Sequence, residues 1–488
     1  MPPFFSAKFV ALLQKMEPQE LKSFDLYLQS PYHNTNKNLP RLLARLLPHY
    51  PDFSDPKLSK EKLFRQVLPE GKFSERRMNN LMSEGYLAAE QFLVFQRFAR
   101  EEGLQQQLLA EEFQARSLDD WFFRHSDREI SRLEAKAVKD WRDYLDLLRL
   151  QRRQYQHPSQ RQHLETGHTT IAKMGEQIDL LFLLEKATII NEMIVRNRLY
   201  KGEHHDVPRE LKKWQICSEG IQHPALDLYR MRFAYTEKDL LRQYQQLYAA
   251  FLERFDDLNA REQKIQILSL LNDAKRLVKS GSLDITESLP LYQLGLITGS
   301  VLNQGRLSAN TYLSIVTASN TKGSFDFTTD FVDSYTKCLS EEDREDCAIW
   351  ARAHSAYYQN DPKVCIEVLL GYDFQVPNFQ LISRVLMTQA YFDLYLKDTR
   401  YQLYLLNFLD SFEKWLSREK FWSKPNHIGF LRFVQKCRVL ARYHGEVDSK
   451  PEKLAKMFSN EKNIQALLWL KQKRDEVRHL KKKRLSRS

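Results

Sequence analysis

No proline occurs between Pro69 and Pro158. Proline removes a backbone donor and breaks helix interiors, so a long stretch without it is free to run as helix. Glycine and proline are scarce throughout, at 15 and 17 in 488 residues. Antiparallel sheets need many such turn residues, and their shortage argues against an all-β chain. The apolar spacing agrees. Phe9, Leu12, Leu13 and Met16, then Leu21, Phe24 and Leu28, recur at mostly three and four residues, which is the stripe of an amphipathic helix. The best strand candidate, Phe325-Asp326-Phe327, is too short to matter. The chain is expected to be all-α.

Loop signals divide the helices. The spacing predicts helices over 39–47, 60–68 and 73–98, with Met78, Leu81, Met82, Leu87, Phe92, Leu93 and Phe95 mostly on one side of the last. A long helix over 127–153 follows. The first clear loop begins at His157-Pro158-Ser159 and ends at Gly167-His168-Thr169. These signals give an N-terminal helical domain over 1–157, a linker over 158–168, a helical repeat domain over 169–460 and a terminal helix with a basic tail over 461–488. In the repeat domain, helices are expected near 260–280, 308–318, 343–359, 362–371, 379–397, 400–417 and 427–444, joined by short connections that suit stacked hairpins.

Residues 351–372, ARAHSAYYQNDPKVCIEVLLGY, resemble a tetratricopeptide repeat. Tyr357 takes the place of the large residue of the first helix, Cys365 that of the small packing residue, Leu369 that of the large residue of the second, and Pro377 that of the closing proline. His354 stands where a glycine is usual, and the turn at Asn360-Asp361 is one residue short. The resemblance implies a TPR-like α-solenoid in the second half of the chain. Residues 30–39, SPYHNTNKNL, with Leu58-Ser59-Lys60-Glu61-Lys62-Leu63-Phe64 and Met78-Asn79-Asn80-Leu81-Met82-Ser83, resemble a family of uncharacterised bacterial cytosolic helical proteins. That resemblance implies a family and no activity.

The formal charge is +11, from 74 basic and 63 acidic residues. It is concentrated at one end. Lys471, Lys473, Arg474, Arg478, Lys481, Lys482, Lys483, Arg484 and Arg487 face only Asp475 and Glu476 in the last eighteen residues, so the long helical body is near neutral. A run of this kind frays by self-repulsion and attracts polyanions. It carries no aromatic residue to stack a base, so sequence-specific single-strand recognition is not indicated.

Other chemistry is thin. No phosphate-cradling glycine loop occurs, and Gly295 and Gly299 read as points where helices approach closely. Cys217, Cys338, Cys347, Cys365 and Cys437 form no CxxC pair, which suits a reducing compartment. His204-His205-Asp206, and His157, His163 and His168, read as solvated loop residues rather than metal ligands. Arg474 with His479, Arg438 with His444 and Arg152 with His157 fit the spacing of HEPN-like helical ribonucleases, a cheap pattern in a chain this rich in arginine. Residues 60–98 could form a helix-turn-helix-like module using Lys72, Arg76 and Arg77.

The reading is a non-enzymatic cytoplasmic scaffold without cofactor or metal, with no small-molecule substrate indicated and no membrane contact. It binds a protein partner on a helical-repeat surface, with Tyr391, Tyr395, Tyr401 and Tyr404 as candidate contacts. The alternative is a nucleic-acid or ribosome-associated regulator acting through the basic tail. A helical ribonuclease ranks below both.

Overall fold

A computed structural model describes residues 8–53, 59–69, 72–159, 167–199, 202, 204–418, 424–445 and 464–485. The described residues are helical, with one isolated bridge between Asn303 and Arg306. Phe325 and Phe327, the strand candidate, open a helix instead. Among the described residues no helix is long and apolar enough to cross a membrane.

The contacts divide the chain into two units. The first holds residues 1–136 and 142–178, the second residues 137–141 and 179–488. The division falls inside a helix rather than at the loop over 158–168.

The first unit begins with α1 (Lys8–Leu13), α2 (Pro18–Gln29), α3 (Asn38–Leu46), α4 (Lys60–Val67) and α5 (Glu75–Arg100). Pro18 opens α2, where its missing N–H costs nothing, and the Glu17 N–H donates to Glu20 Oε2 at 3.0 Å. Ser59 and Ser74 cap α4 and α5 by accepting from Lys62 N and Arg77 N. Helix α5 is the spine, and α1 to α4 all pack on it. Phe9, Leu13, Phe24, Leu43, Phe64, Met78 and Phe92 fill the space between them. A Cβ at Gly85 would stand 2.8 Å from the Phe9 ring, so α1 lies against α5 at a distance only glycine allows.

Helices α6 (Glu102–Ala115), α7 (Asp119–Glu134) and α8 (Trp141–Gln156) form a second core around Phe122, Leu133, Leu147 and Leu150. The single helix expected over 127–153 is thus two, and the chain turns at 135–140 without proline or glycine. Between α6 and α7 the turn is made by Ser117 at φ 55°, after which Leu118 N–H donates to Phe113 O at 2.9 Å. Proline-free sequence permits a helix to continue but does not force it.

After α9 (Gly167–Leu199), the second unit runs through α10 (Val207–Cys217), α11 (Pro224–Phe233), α12 (Leu240–Glu253), α13 (Ala260–Ser280), α14 (Leu289–Ile297), α15 (Ala309–Lys322), α16 (Phe325–Tyr335), α17 (Glu341–Tyr358), α18 (Pro362–Leu370), α19 (Pro377–Lys397), α20 (Gln402–Arg418), α21 (Lys424–Gly445) and α22 (Leu467–Leu485). From α11 to α22 each helix packs on the next, and α17 also touches both α15 and α19. Asn360 turns at φ 65°, which closes the α17–α18 connection within its short length, and Asp361 caps α18. Cys365 and Leu369 are buried, His354 is buried between Trp350 and Tyr358, and Pro377 opens α19. A Cβ at Gly295 would meet Val301 at 2.6 Å and Ile267 at 3.4 Å, a close approach of the kind expected there, whereas Gly299 sits at φ 68° in the turn after α14.

Candidate functional site

The most distinctive surface of the first unit lies between α2 and α5. Helix α5 buries Met78, Leu81, Met82, Gly85, Ala89 and Phe92. Leu87 follows Met78 by about two and a half turns at roughly 3.6 residues per turn, so it points away from that core. Val94 falls on the same outer face. The structure leaves Leu87 56 %, Val94 69 % and Phe95 48 % exposed, which corrects the expectation that Leu87 and Phe95 join the buried side. With Tyr27, Glu90, Gln91 and Phe98 they line a groove of about 510 Å³.

The segment 30–39 follows α2 and reaches the groove residues Tyr27 and Phe95 through His33. Asn34 Nδ2 donates to Leu28 O at 2.7 Å and to Asn36 O at 3.0 Å, which ties off the end of α2. Asn34 Oδ1 and Asn36 Oδ1 accept from Asn36 N and Asn38 N, both at 2.9 Å, so two successive Asx turns lead into α3. Asn36 Nδ2 anchors the loop on α5 by donating to Glu84 at 2.6 Å. His33 stacks on Tyr27 at 4.4 Å and meets Phe95 at 5.3 Å. Tyr32 is left 91 % exposed beside this cluster. The sequence carried the signal in its opposite-face apolar residues, but periodicity alone does not say which stripe a neighbour covers.

The basic tail is helix from Leu467 to Leu485 rather than frayed chain. Leu470 and Val477 are buried against α21, and Trp469 Nε1 donates to Tyr357 Oη at 3.0 Å. Two of the cations turn inward. Lys473 bridges Asp393 at 2.6 Å and Glu476 at 2.8 Å. Lys481 is buried, lies 4.1 Å over the Tyr443 ring and donates to Tyr443 O. Arg474 pairs with Asp475 at 2.9 Å. Lys471, Arg478, Lys482 and Lys483 are exposed, and the first three share one face. Arg487 and the side chain of Arg484 lie outside the described residues.

Of the four tyrosines, Tyr395 is fully buried and donates to Ala441 O, which removes it from any partner surface. Tyr391 and Tyr401 are half-buried and Tyr404 is exposed, 5.9 Å from Tyr401.

The histidine candidates divide: His157 and His444 are buried in packing, whereas His204 and His479 are exposed. His157 is buried on Phe122 at 5.0 Å and not in a solvated linker. His205 is held by both its N–H and C=O on Asn197, and Asp206 caps α10. His163 and the side chain of His168 lie outside the described residues. No group of three or more His, Cys, Asp or Glu among the described residues is placed to hold a metal. Arg438 bridges Asp410 and Glu413 while His444 is buried against Tyr395. Arg77 lies over the Phe64 ring at 5.6 Å, within the packing of α4 on α5.

One layer of the second unit buries charge. Arg232 on α11 bridges Asp273 on α13 at 2.9 Å and donates to Asn191 at 2.8 Å. A turn or more away, Glu262 is 2 % exposed and accepts from Tyr229 Oη at 3.0 Å. Burial pushes the Glu262 carboxyl up to about 7, opposed by the Tyr229 hydrogen bond and by Arg261, while Glu185 adds to the rise. Burial also pushes the Tyr229 phenol well up. Comparison with family models, curated proteins and solved structures returns no match for this chain.

Proposed function

We propose that this chain is a non-enzymatic protein-interaction scaffold and that the groove between α2 and α5 takes an amphipathic helix of a partner protein. The groove itself carries the reading. Contiguous exposed apolar surface rimmed by polar groups is the usual mark of a protein-binding face, and helices dock in such grooves through residues spaced by three, four and seven. Glu90 is the charged residue in the lining, so the complementary helix has an apolar stripe with a cation beside it. His33 of segment 30–39, one of the stretches that carry the resemblance to bacterial helical proteins, packs on Tyr27 and Phe95 of that same groove. A TPR-like solenoid for the second unit is supported by the serial packing of α11 to α22 and by the contacts of α17 with α15 and α19. A cytoplasmic location is supported by five unpaired cysteines.

The test is capture of a partner by the full chain, comparing wild type with Val94→Glu and Leu87→Glu. Both sites are exposed, so stability should hold within about 0.5 kcal/mol. Stoichiometric binding that both variants lose supports the groove, and binding that survives both overturns it. The exposed face of Lys471, Arg478 and Lys482 favours polyanion binding as a second reading. Low-salt RNA binding lost in the triple charge reversal supports it, and its absence in wild type disposes of it.

A further inference from the structure

We infer that α22 is a tethered ligand of its own unit, and that the cleft it fills takes a helix of another protein carrying an aromatic residue and, four positions on, a lysine. Both groups land on a built site. Trp469 meets the Phe392 ring at 5.6 Å and the Phe433 ring at 6.1 Å, and its Nε1 donates to Tyr357 Oη at 3.0 Å. Lys473, about one turn on, bridges Asp393 at 2.6 Å. Tyr357 Oη donates to Asp393 at 2.8 Å, so one phenol and one carboxylate fix the indole and the ammonium together.

The contact has the make-up of a protein interface rather than of a core. Helix α21 buries Phe433, Val434, Cys437 and Leu440, with no charge among them. The inward face of α22 carries Lys473 and Lys481 beside Trp469, Leu470 and Val477, and Lys481 ends 4.1 Å over the Tyr443 ring. An aromatic anchor with a bonded N–H next to an ion pair is the usual composition of a binding hot spot. Without an occupant, Asp393 would lose its cation and Phe392 and Phe433 would meet water, so the cleft requires a ligand that supplies both a ring and a positive charge. That complementarity selects a basic amphipathic helix. Residues 446–463 join α22 to α21, so it holds the cleft as a competitor at an effective concentration on the order of millimolar. The cleft belongs to the second unit and does not depend on the groove between α2 and α5.

The test measures fluorescence anisotropy of two labelled host helices of equal composition with the full chain. One carries tryptophan and, four positions on, lysine; in the other the lysine moves by two positions, which takes it to the far side of the helix. The first should bind at least about tenfold more tightly, the scale of one charge-assisted contact. Trp469→Ala with Lys473→Gln loosens the competitor and should bind the first helix at least about tenfold more tightly than wild type does. Adding Asp393→Asn, which still accepts from Tyr357, should remove that gain. Saturating helix should also speed hydrogen exchange of α22 amides in wild type. The inference is overturned if the two helices bind alike, if the double variant gains nothing over wild type, or if α22 stays protected at saturation. Dimerisation of wild type that Trp469→Ala abolishes would make α22 of a second copy the occupant and likewise overturn it. Melting temperature checks the fold of each variant, and Lys473→Gln alone should rank in the same order if the double variant unfolds.

Discussion

Replacing Glu262 by glutamine should stabilise the second unit at alkaline pH and do little in acid. Glu262 is buried at the start of α13, with its carboxyl raised from 4.5 to about 7 chiefly by burial. Arg261 is the nearest cation, but it forks onto Glu185, with one contact at 3.1 Å, and so only partly offsets that burial. Because the folded value lies above the unfolded one, the native state binds the proton more tightly. The stability this supplies is complete below about pH 4.5, falls as pH rises, and is gone above 7. At 1.36 kcal/mol per unit, wild type should lose roughly 2–3 kcal/mol between pH 5 and pH 8 relative to Glu262→Gln. Glutamine keeps an oxygen to accept from Tyr229, so the variant does not strand that hydroxyl. The assay is urea denaturation of both proteins at pH 5 and pH 8, with hydrogen exchange of α11 and α13 amides to locate the change. Parallel stability profiles for the two proteins across this range would refute the reasoning.

Three further outcomes follow from the packing. His354 is buried against Trp350 and Tyr358 and its imidazole is pushed down to about 3 by burial, so the unfolded chain takes up its proton first; stability should fall as pH drops through 6.5, by about 2 kcal/mol at pH 5, and less in His354→Gln when followed by denaturation. Gly295→Ala should cost about 1–3 kcal/mol by overpacking, and Val301→Ala in the same chain should recover part of it in a double-mutant cycle. Trp469→Ala should loosen α22, seen as faster exchange of its amides, whereas Lys471→Glu and Lys482→Glu should leave that protection unchanged because both side chains face solvent.

Much of the secondary structure was legible because it is local. The segments drawn at 260–280, 343–359, 362–371 and 379–397 match α13, α17, α18 and α19 within a few residues. Asn259 caps α13, Asp361 and Pro362 open α18 and Pro377 opens α19, signals that act within one turn. The breaks at 116–118 and 135–140 were not legible. Neither holds proline or glycine, and both are turns that packing selects over continued helix. The candidate sites were legible only in part. The charge of the tail is plain in the sequence, yet Lys473 and Lys481 are spent on Asp393 and Tyr443, which lie far along the chain. Tyr395 and Tyr404 look alike as letters and differ completely in burial.

The sequence by itself determined that the chain is helical, since spacing of apolar residues and scarcity of glycine and proline act through backbone geometry alone. It also determined where the net charge sits. Only the tertiary structure decided which apolar stripe meets a neighbour and which faces water. On α5 that choice buries Met78 and Phe92 and leaves Leu87 and Val94 outside. On α22 it turns Lys473 onto Asp393 and leaves Lys471 outside. Burial and charge convergence depend on what packs from elsewhere, and a periodic pattern contains no record of its partner.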